Sequence, residues 1–424
     1  MRFQSLEGWL QWQQGLHPKA IDLGLERVRT VAARMGLLEQ GRPVITVGGT
    51  NGKGSCVAYL EAILTAAGYR VGAYTSPHIL RYNERVRIGG QQAADADLVE
   101  AFARIDQARD GVSLTYFEFG TLAALDLFAR AECDVWLLEV GLGGRLDAVN
   151  VIDADVAVLT SISLDHTDWL GADRDTIARE KAGIFRAGRV AVYGEQDMPP
   201  SIVAAAEKAG AELWHIGRDY RFAVHTDNWS FDGPRATWDN LPWPALLGAH
   251  QFANAAAALA ALQAIVHRLP VAVEDVAAGL TQIRLAGRVQ VLPGPVEWVV
   301  DVAHNRDGVA CLARALRERR QTGRCHAVFA QMQRKELEPV VGELVGLVDN
   351  WWLLELPDAD ARPAAEVAES LHSLGLPVAG QAGSDALFAA VTAAAQPGDR
   401  VLVFGSFRTV EEALRYRARL SGDE

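Results

Sequence analysis

The residues best suited to chemistry lie in one glycine-rich segment, Gly48-Gly49-Thr50-Asn51-Gly52-Lys53-Gly54-Ser55. A β-branched apolar run at 44–47 precedes it and apolar residues at helical spacing follow it, so the predicted order is strand, loop, helix. Such a loop points backbone N–H groups at an anion beside the positive end of a helix, and its lysine adds a charge for the terminal phosphates. A hydroxyl from Ser55 or Thr50 could reach a bound Mg²⁺.

The segment departs from the usual phosphate-loop spacing at two positions. That spacing requires glycine where Val47 stands, and a hydroxyl residue directly after the lysine, where Gly54 stands. The alternative is a tight glycine turn that joins a strand to a helix and binds nothing. Lys53, together with the preceding strand and the following helix, favours nucleotide binding over that alternative.

Polar residues also lie at or just after the ends of three other predicted strands. The strands and their polar residues are 69–75 with Ser76-Pro77-His78, 135–140 with Glu139, and 156–162 with Asp165-His166-Thr167-Asp168. The carboxyl ends of parallel strands meet at one edge of a sheet, where such folds bind ligands. These side chains are therefore candidates for a single site.

The residues alone leave alternatives at each position. Glu139 at the end of a buried strand, before a glycine-rich loop, favours a metal site over a solvated strand end. His166 stands beside two carboxylates, which makes it a better ligand candidate than a lone histidine. Ser76-Pro77 fits a ligand contact and a simple turn equally well. Lys181, judged from its neighbours alone, is a surface lysine.

Alternating strands and helices must position these residues, which predicts an α/β fold with mostly parallel sheets. An amphipathic helix at 5–14 and a second helix that ends near Met35 come first, and a tryptophan-rich antiparallel hairpin at 221–243 precedes an alanine-rich helix. Turn residues, including Pro293, at 285–295 predict a linker, so we expect domains at 1–287 and 288–424. The second series has predicted strands at 296–302, 326–330, 352–356 and 401–404, and predicted helices at 308–319, 338–348, 364–374 and 385–394.

Composition limits the class of protein. The 424 residues are 50% hydrophobic and 22% charged, as in an ordinary globular chain, and the net charge of −12 argues against a nucleic-acid surface. Four scattered cysteines favour a reducing, cytoplasmic setting without structural zinc. The N-terminus lacks a signal-peptide pattern, and the alanine-rich stretch at 253–266 is too polar to span a membrane. We expect a cytoplasmic monomer.

Ten motifs together resemble one family. In order along the chain they are GTNGKGS, SPHILRYNERVRI, TYFEFGTLAAL, LEVGLGGRLDAVN, SLDHTDWLG, REKAGIFR, the helix with Asn254, Gly287-Arg288, DVAHN and GSFRTV. This order resembles that of the folylpolyglutamate synthases, which are ATP-dependent Mur ligases, over nearly the whole chain. The segment HPKAIDLGLERV looks like that of the bacterial enzymes that are also dihydrofolate synthases.

The resemblance implies a P-loop ATPase-like N-terminal domain and a smaller Rossmann-like α/β domain that ligates glutamate. It implies ATP and two Mg²⁺ ions, and catalytic roles for Lys53, His166 and Lys181, the last carried as an N6-carboxylysine. The implied contacts are Thr50 to Ser55, Asn254, Arg288 and Asp301 for ATP; Ser76, Glu139 and His166 for metal; and His304 and Ser406 for glutamate. The implied pterin-binding segments are Asp22, Leu23, Gly24 and Leu25; Thr115, Tyr116, Phe117 and Glu118; and Leu146, Asp147 and Ala148.

The implied reaction joins L-glutamate to dihydropteroate and to reduced folates through an acyl phosphate, with release of ADP and phosphate. The sequence departs from the family at Arg306, where proline is usual, and at 331–336, where a lysine-aspartate loop is usual. The runner-up is a monofunctional folylpolyglutamate synthase. Two other classes remain: a P-loop kinase or GTPase-like switch, which would lack the second β/α series, and a regulatory nucleotide-binding module, which Glu139, His166 and Lys181 argue against.

Overall fold

A computed structural model describes residues 2–39, 41–292, 294–319 and 321–421, so Pro293 of the predicted linker lies outside the described residues. The chain divides into two compact units. The first contains residues 2–78, 82–245 and 252–283, and the second contains 79–81, 246–251 and 284–421. The sequence did not indicate that the two short segments, 79–81 and 246–251, belong with the second unit.

The first unit is built on an eight-stranded sheet in the order β4-β3-β2-β5-β1-β6-β7-β8. The strands are β1 Val44–Gly48, β2 Val71–Tyr74, β3 Val86–Ile88, β4 Gln91–Gln92, β5 Val135–Glu139, β6 Val156–Leu159, β7 Val190–Tyr193 and β8 Glu212–His215. The six strands β2, β5, β1, β6, β7 and β8 are parallel to one another. The strands β3 and β4 continue the sheet beyond β2 with antiparallel pairing. β1 and β5 are buried along their whole length, which explains their continuous apolar sequence.

Helices cover this sheet because each crossover between parallel strands returns along a face of the sheet. They are α1 Leu6–Gln14, α2 Glu26–Arg34, α3 Lys53–Ala66, α4 Asp95–Arg109, α5 Tyr116–Arg130, α6 Thr167–Leu170, α7 Arg174–Lys181, α8 Pro200–Ala209, α9 His250–Ala264 and α10 Val273–Gln282. The tryptophan-rich segment forms three antiparallel strands, β9 Arg221–Val224, β10 Trp229–Asp232 and β11 Thr237–Leu241, where the sequence predicted a hairpin. Among the described residues, none of the helices has both the length and the hydropathy that crossing a membrane requires.

Aromatic packing fixes the start of the chain. Trp9 of α1 is fully buried, and its ring lies 6.1 Å from Phe102 of α4 and 6.4 Å from Phe119 of α5. Ser5 caps α1 by accepting a hydrogen bond from the Gly8 N–H. A buried aromatic side chain contributes about 2–3 kcal/mol by area alone, so α1 holds the chain just before residues 15–25.

The second unit contains a six-stranded sheet in the order β12-β13-β17-β14-β15-β16. Its elements are β12 Gln290–Leu292, β13 Glu297–Val300, α11 Arg306–Glu318, β14 Cys325–Phe329, α12 Leu337–Gly342, β15 Asn350–Leu354, α13 Ala364–Ser373, β16 Val378–Ala382, α14 Ser384–Ala394, β17 Arg400–Phe404 and α15 Phe407–Ser421. β12 pairs antiparallel with β13 and the other neighbours pair in parallel, so the α/β fold class is confirmed. The sequence missed β12 and β16 because both are partly exposed edge strands without a continuous apolar run.

Candidate active site

The phosphate loop joins β1 to α3 and has the backbone shape that its glycines allow. Gly49 has φ +138° and Gly52 has φ +86°, values that side-chain-bearing residues rarely adopt. A Cβ on Gly49 would lie 2.0 Å from the Thr160 hydroxyl oxygen, and one on Gly52 would lie 2.4 Å from Asn254 Oδ1. Only glycine therefore fits at either position, and Asn254 lies directly against the loop, as an ATP contact would require.

Two lysines converge on one carbonyl oxygen of this loop. Lys181 Nζ donates to Gly49 O at 3.0 Å, and Lys53 Nζ donates to the same oxygen at 3.1 Å and to Thr50 O at 3.0 Å. Lys181 is buried, so its interpretation as a surface lysine from the residues alone is wrong. Burial, and then the charge of Lys53, lower the pKa of Lys181 to about 7. The loop thus holds one lysine cation beside an amine that is partly neutral near neutral pH.

The segment after β6 lies beside the phosphate loop and forms hydrogen bonds with it. Thr50 donates its N–H to Ser161 O at 2.7 Å, and its hydroxyl accepts from the Ser163 N–H at 3.1 Å. Ser55, the other hydroxyl residue predicted to reach a metal, is buried in the first turn of α3. The sequence did not predict these contacts because small polar residues after a strand have no distinctive spacing.

Two of the predicted metal ligands meet where neighbouring strands end. The Ser76 N–H donates to Glu139 Oε2 at 3.1 Å, and Glu139 is buried. Mg²⁺ prefers oxygen ligands and takes only one or two carboxylates beside phosphates and water, so the Ser76 hydroxyl and the Glu139 carboxylate suit it. Within the described residues, no group of three or more His, Cys, Asp and Glu side chains is arranged for a metal. A metal held by Ser76 and Glu139 would need further oxygens from a nucleotide.

His166 lies on the loop after β6, before the short helix α6. Its φ is +52°, and its side chain is 47% exposed with Nε2 4.0 Å from Asp165 Oδ1. A half-exposed imidazole beside a buried carboxylate is accessible to a ligand, which suits the predicted role.

Two of the predicted pterin segments pack against each other. Thr115 and Glu118 form a capping box at the start of α5, with the Glu118 N–H 3.2 Å from Thr115 Oγ1 and the Thr115 N–H 2.8 Å from Glu118 Oε2. Asp147 accepts from the Leu142 and Val149 N–H groups, and burial raises its pKa to about 6. A Cβ on Gly141 would lie 2.5 Å from the Phe117 ring, so this ring contacts the loop that leads to Asp147.

Arg27 of α2 joins the third pterin segment to the others. Its guanidinium donates to Asp22 Oδ2 at 2.7 Å, to Asp22 O at 2.6 Å and to Glu118 Oε2 at 3.3 Å. His17 Nε2 and Lys19 Nζ each lie 3.2 Å from the Asp22 carboxylate. Sequence reasoning assigned no site role to Arg27 or His17, and no local spacing rule would have indicated their shared partner.

In the second unit the candidate residues lie around Phe407. The Arg288 guanidinium carbon lies 5.5 Å from the centroid of the Phe407 ring, and the centroid of the His304 ring lies 6.5 Å from the same point. His304 Nδ1 lies 2.9 Å from Val302 O and is the donor, because a carbonyl oxygen can only accept. Phe407 is a residue that the sequence did not single out.

Asp301 and Ser406 both have structural partners in this unit. The Asp301 carboxylate accepts from the Val289 and Ala303 N–H groups, each at 2.7 Å, and burial raises its pKa. The Ser406 hydroxyl accepts from the Thr409 N–H at 3.0 Å and lies 2.7 Å from the Thr409 hydroxyl, so it caps α15. Their predicted contacts with ATP and glutamate therefore stay predictions.

Comparisons with known proteins agree with the two units and their loops. The family described as Mur ligase middle domain matches residues 47–262, and the Mur ligase glutamate ligase domain matches residues 287–407. The molecule is thus a Mur ligase, and the match to both domains argues against a kinase or GTPase-like switch. It is 44% identical to the dihydrofolate synthase/folylpolyglutamate synthase of Escherichia coli K12, over 98% of this chain and 97% of that one. The chain belongs to the dihydrofolate synthase/folylpolyglutamate synthase family.

Two solved structures share the fold. One is described as Escherichia coli FolC in complex with DHPP and ADP, with TM-score 0.94, 43% identity and 99% of each chain covered. The other is the bifunctional folylpolyglutamate synthase/dihydrofolate synthase of Yersinia pestis complexed with AMPPNP and Mn ion, with TM-score 0.90, 42% identity and 98% of each chain covered.

Proposed function

We propose that this chain ligates L-glutamate to dihydropteroate, giving dihydrofolate, and to reduced folates, giving folylpolyglutamates, with conversion of ATP to ADP and phosphate. The observation that carries the proposal is the convergence of Lys53 and Lys181 on the phosphate-loop carbonyl of Gly49. The relatives support it, since the two solved structures contain ADP with DHPP and an ATP analogue with Mn.

The chemistry follows from the poor reactivity of a carboxylate. One carboxylate oxygen attacks the γ-phosphorus of ATP, and the bond to the bridging oxygen breaks to release ADP. The glutamate amine then attacks the carbonyl carbon of the acyl phosphate, phosphate leaves, and the nitrogen loses a proton to give an amide. Phosphoryl transfer needs alignment and charge neutralisation more than covalent help, which the loop N–H groups and Lys53 provide.

Ser76, Glu139 and His166 are the residues that would hold divalent metal, two ions in this proposal. When bound, such an ion neutralises charge on the phosphoryl oxygens. Asn254, Arg288 and Asp301 would hold the nucleotide, the three segments 22–25, 115–118 and 146–148 the pterin, and His304 and Ser406 the glutamate.

Lys181 is proposed to react with CO₂. Its neutral Nζ attacks the carbon, an N–C bond forms, and one proton leaves to give a carbamate. The carbamate is an oxygen donor, which suits Mg²⁺ where an ammonium would repel it. The burial of Lys181 and its lowered pKa support this step, because both increase the neutral fraction.

The proposal includes a cytoplasmic monomer. Cys56, Cys133, Cys311 and Cys325, which all fall in the described ranges, form no disulfide with one another, which fits a reducing compartment. Size-exclusion chromatography of the purified chain tests the monomer.

ADP formation from ATP tests the proposed reaction. It is measured with glutamate alone, with glutamate and dihydropteroate, and with glutamate and tetrahydrofolate that already carries one glutamate. We expect ADP only when a pterin acceptor is present, with either acceptor. Activity with the tetrahydrofolate but none with dihydropteroate would favour the monofunctional enzyme. Binding of ATP without turnover under all three conditions would favour a regulatory module.

A further inference from the structure

Residues Thr160 to Ser163 follow β6, and three of them, Thr160, Ser161 and Ser163, are bonded to the phosphate loop. We call these four residues the loop support. The Thr160 hydroxyl donates to Asn51 O at 2.6 Å and lies 3.2 Å from Gly48 O. The Ser161 hydroxyl and the Asn51 backbone bond reciprocally, with Oγ donating to Asn51 O and accepting from the Asn51 N–H, both at 3.1 Å. Ser161 O and Ser163 bind Thr50 from the same side.

These bonds use backbone groups of both kinds: the carbonyl oxygens of Gly48 and Asn51 accept, and the N–H groups of Thr50 and Asn51 donate. Each backbone group that is fixed on the loop support reduces the conformations open to the phosphate loop. Asn51 O receives both the Thr160 and the Ser161 hydroxyls. The contact is close, because a Cβ on Gly49 would fall 2.0 Å from the Thr160 hydroxyl oxygen.

The loop support is itself fixed by an ion pair between Arg174 and Glu195. Arg174 Nε donates to Ile162 O at 2.7 Å, and the Ile162 N–H donates to Glu195 Oε2 at 3.1 Å. Arg174 Nη2 also donates to Glu195 Oε2 at 2.9 Å, so both polar groups of the Ile162 backbone are fixed by one ion pair. The hydroxyls of Thr160 and Ser161 therefore present a fixed surface to the phosphate loop.

We infer that Thr160 and Ser161 are positioning residues for the nucleotide: their hydroxyls hold the phosphate loop in the shape that binds the phosphates of ATP and ADP. This inference rests on the proposed function for the identity of the ligand. It assigns to these residues no contact with substrate. Their effect acts through the backbone of Asn51 and Thr50.

Three variants with matched chemistry test this. Ser161→Ala removes the reciprocal pair, Thr160→Val removes a hydroxyl at nearly constant volume, and Thr160→Ser keeps the hydroxyl and serves as rescue. The matched control is Ser370→Ala, whose hydroxyl donates to the Glu366 carbonyl on helix α13 of the second unit. Each purified protein is titrated with ADP and Mg²⁺ by calorimetry, its Tm is measured without nucleotide, and its KM values for ATP and for the folate are determined.

We expect Ser161→Ala to weaken ADP binding roughly three- to ten-fold, as the loss of one to two hydrogen bonds predicts. Thr160→Val should weaken it at least as much, and Thr160→Ser should restore it. The KM for ATP should rise in parallel while the KM for the folate stays within about two-fold, and the nucleotide-free Tm should change by less than about 3 °C.

Two results would overturn the inference. One is unchanged ADP affinity in both Ser161→Ala and Thr160→Val. The other is a Thr160→Ser variant as weak as Thr160→Val, which would show that the hydroxyl is not what matters. Calorimetry with ADP does not depend on ligation, so a wild-type chain that binds ADP but joins no glutamate would contradict the proposed reaction and leave this inference testable.

Discussion

Two segments of the first unit are predicted to meet substrate, and they are held in different ways. The phosphate loop is bonded to residues 160–163 by neutral hydroxyl and backbone groups. The segment 15–25 is held mainly around the carboxylate of Asp22, which receives Arg27, Lys19 and His17, and also by two bonds to the Ser113 hydroxyl. Asp22 is partly exposed, with about a quarter of its side chain in solvent.

The difference indicates what each segment does. Neutral bonds between partly buried groups do not depend on a charge and so change little with salt and pH, which suits a nucleotide that is the same in every reaction. Ion pairs near the surface are weak and rearrange at low cost. A segment held in this way can adapt to acceptors of two lengths, as dihydropteroate and an extended folate require.

Lys53→Ala should abolish the ATP turnover that depends on the phosphate loop. Lys53 lies on the loop and contacts its carbonyls, so its loss removes phosphate charge neutralisation while leaving the core intact. We expect ADP formation to fall by at least about 10²-fold with an unchanged Tm. Lys208→Ala, on the exposed face of α8, is the control. A folded Lys53→Ala protein with near-normal ligation would rule out the phosphate loop.

Lys181→Met should nearly abolish ligation as well, because the side chain then offers neither an amine nor a carbamate. Wild-type protein in carbon-13 bicarbonate should show a carbamate resonance by NMR, and the variant should lack that resonance. Activity of wild-type protein should fall in CO₂-free buffer and recover with bicarbonate. Full activity in Lys181→Met, or wild-type protein without the resonance, would contradict the carboxylysine.

The phosphate loop could be predicted because its residues are contiguous and their types are rare in combination. The partners that shape it could not. Lys181 reaches Gly49 across 132 positions of sequence, and its burial depends on packing that no local pattern records. Thr160 and Ser161 look like any polar residues after a strand. Their role requires knowing that β6 lies beside β1 in the sheet.

The fold shows the same distinction. Fully buried strands such as β1 and β5 are continuous apolar runs, and the sequence located them to within about a residue. The edge strand β16, Val378–Ala382, is half-exposed and contains glycine and glutamine, so its pairing comes from the neighbouring β15 and is not encoded locally. The capping box of Thr115 and Glu118 can be recognised from its spacing, whereas the link from Glu118 to Arg27 spans 91 positions.

Arg27→Gln should affect the adaptable segment without disturbing the phosphate loop. Arg27 is the side chain that links Asp22 to Glu118, so its loss removes the tie between Asp22 and α5, while the bonds of Ser113 to Leu16 and His17 remain. We expect the KM for dihydropteroate to rise roughly ten-fold, the KM for ATP to stay within about two-fold, and folate extension to change less. Asp22→Asn and Leu25→Ala should show the same bias.

The control for Arg27→Gln is Arg34→Gln on the same helix, since Arg34 donates only to the backbone carbonyls of Ala108 and Arg109 among its described bonds. Hydrogen exchange of residues 15–25 should be faster in Arg27→Gln than in wild type or Arg34→Gln. Equal losses of dihydropteroate ligation and folate extension would contradict the adaptable segment and favour a single pterin site that both acceptors share.

The burial of Lys181 should also make the stability of the protein depend on pH. The pKa of Lys181 is about 7 when folded against 10.5 when unfolded, so between these values the unfolded chain binds a proton that the folded chain does not. Stability therefore rises with pH across this window, by at most about 1.4 kcal/mol per pH unit, and the cost of burying the lysine is fully present below pH 7. Lys181→Met removes this cost.

In CO₂-free buffer, the Tm of Lys181→Met should exceed that of wild type most near pH 7, and the difference should shrink toward pH 10. Asp22 behaves in the opposite way: its folded pKa is lowered, chiefly by Lys19, so its contribution is lost only as pH falls below its ordinary range. The Tm difference between Asp22→Asn and wild type should therefore stay constant from pH 7 to 10. A constant difference for Lys181→Met as well would mean that the lysine is charged when folded, and the phosphate loop would then hold two cations.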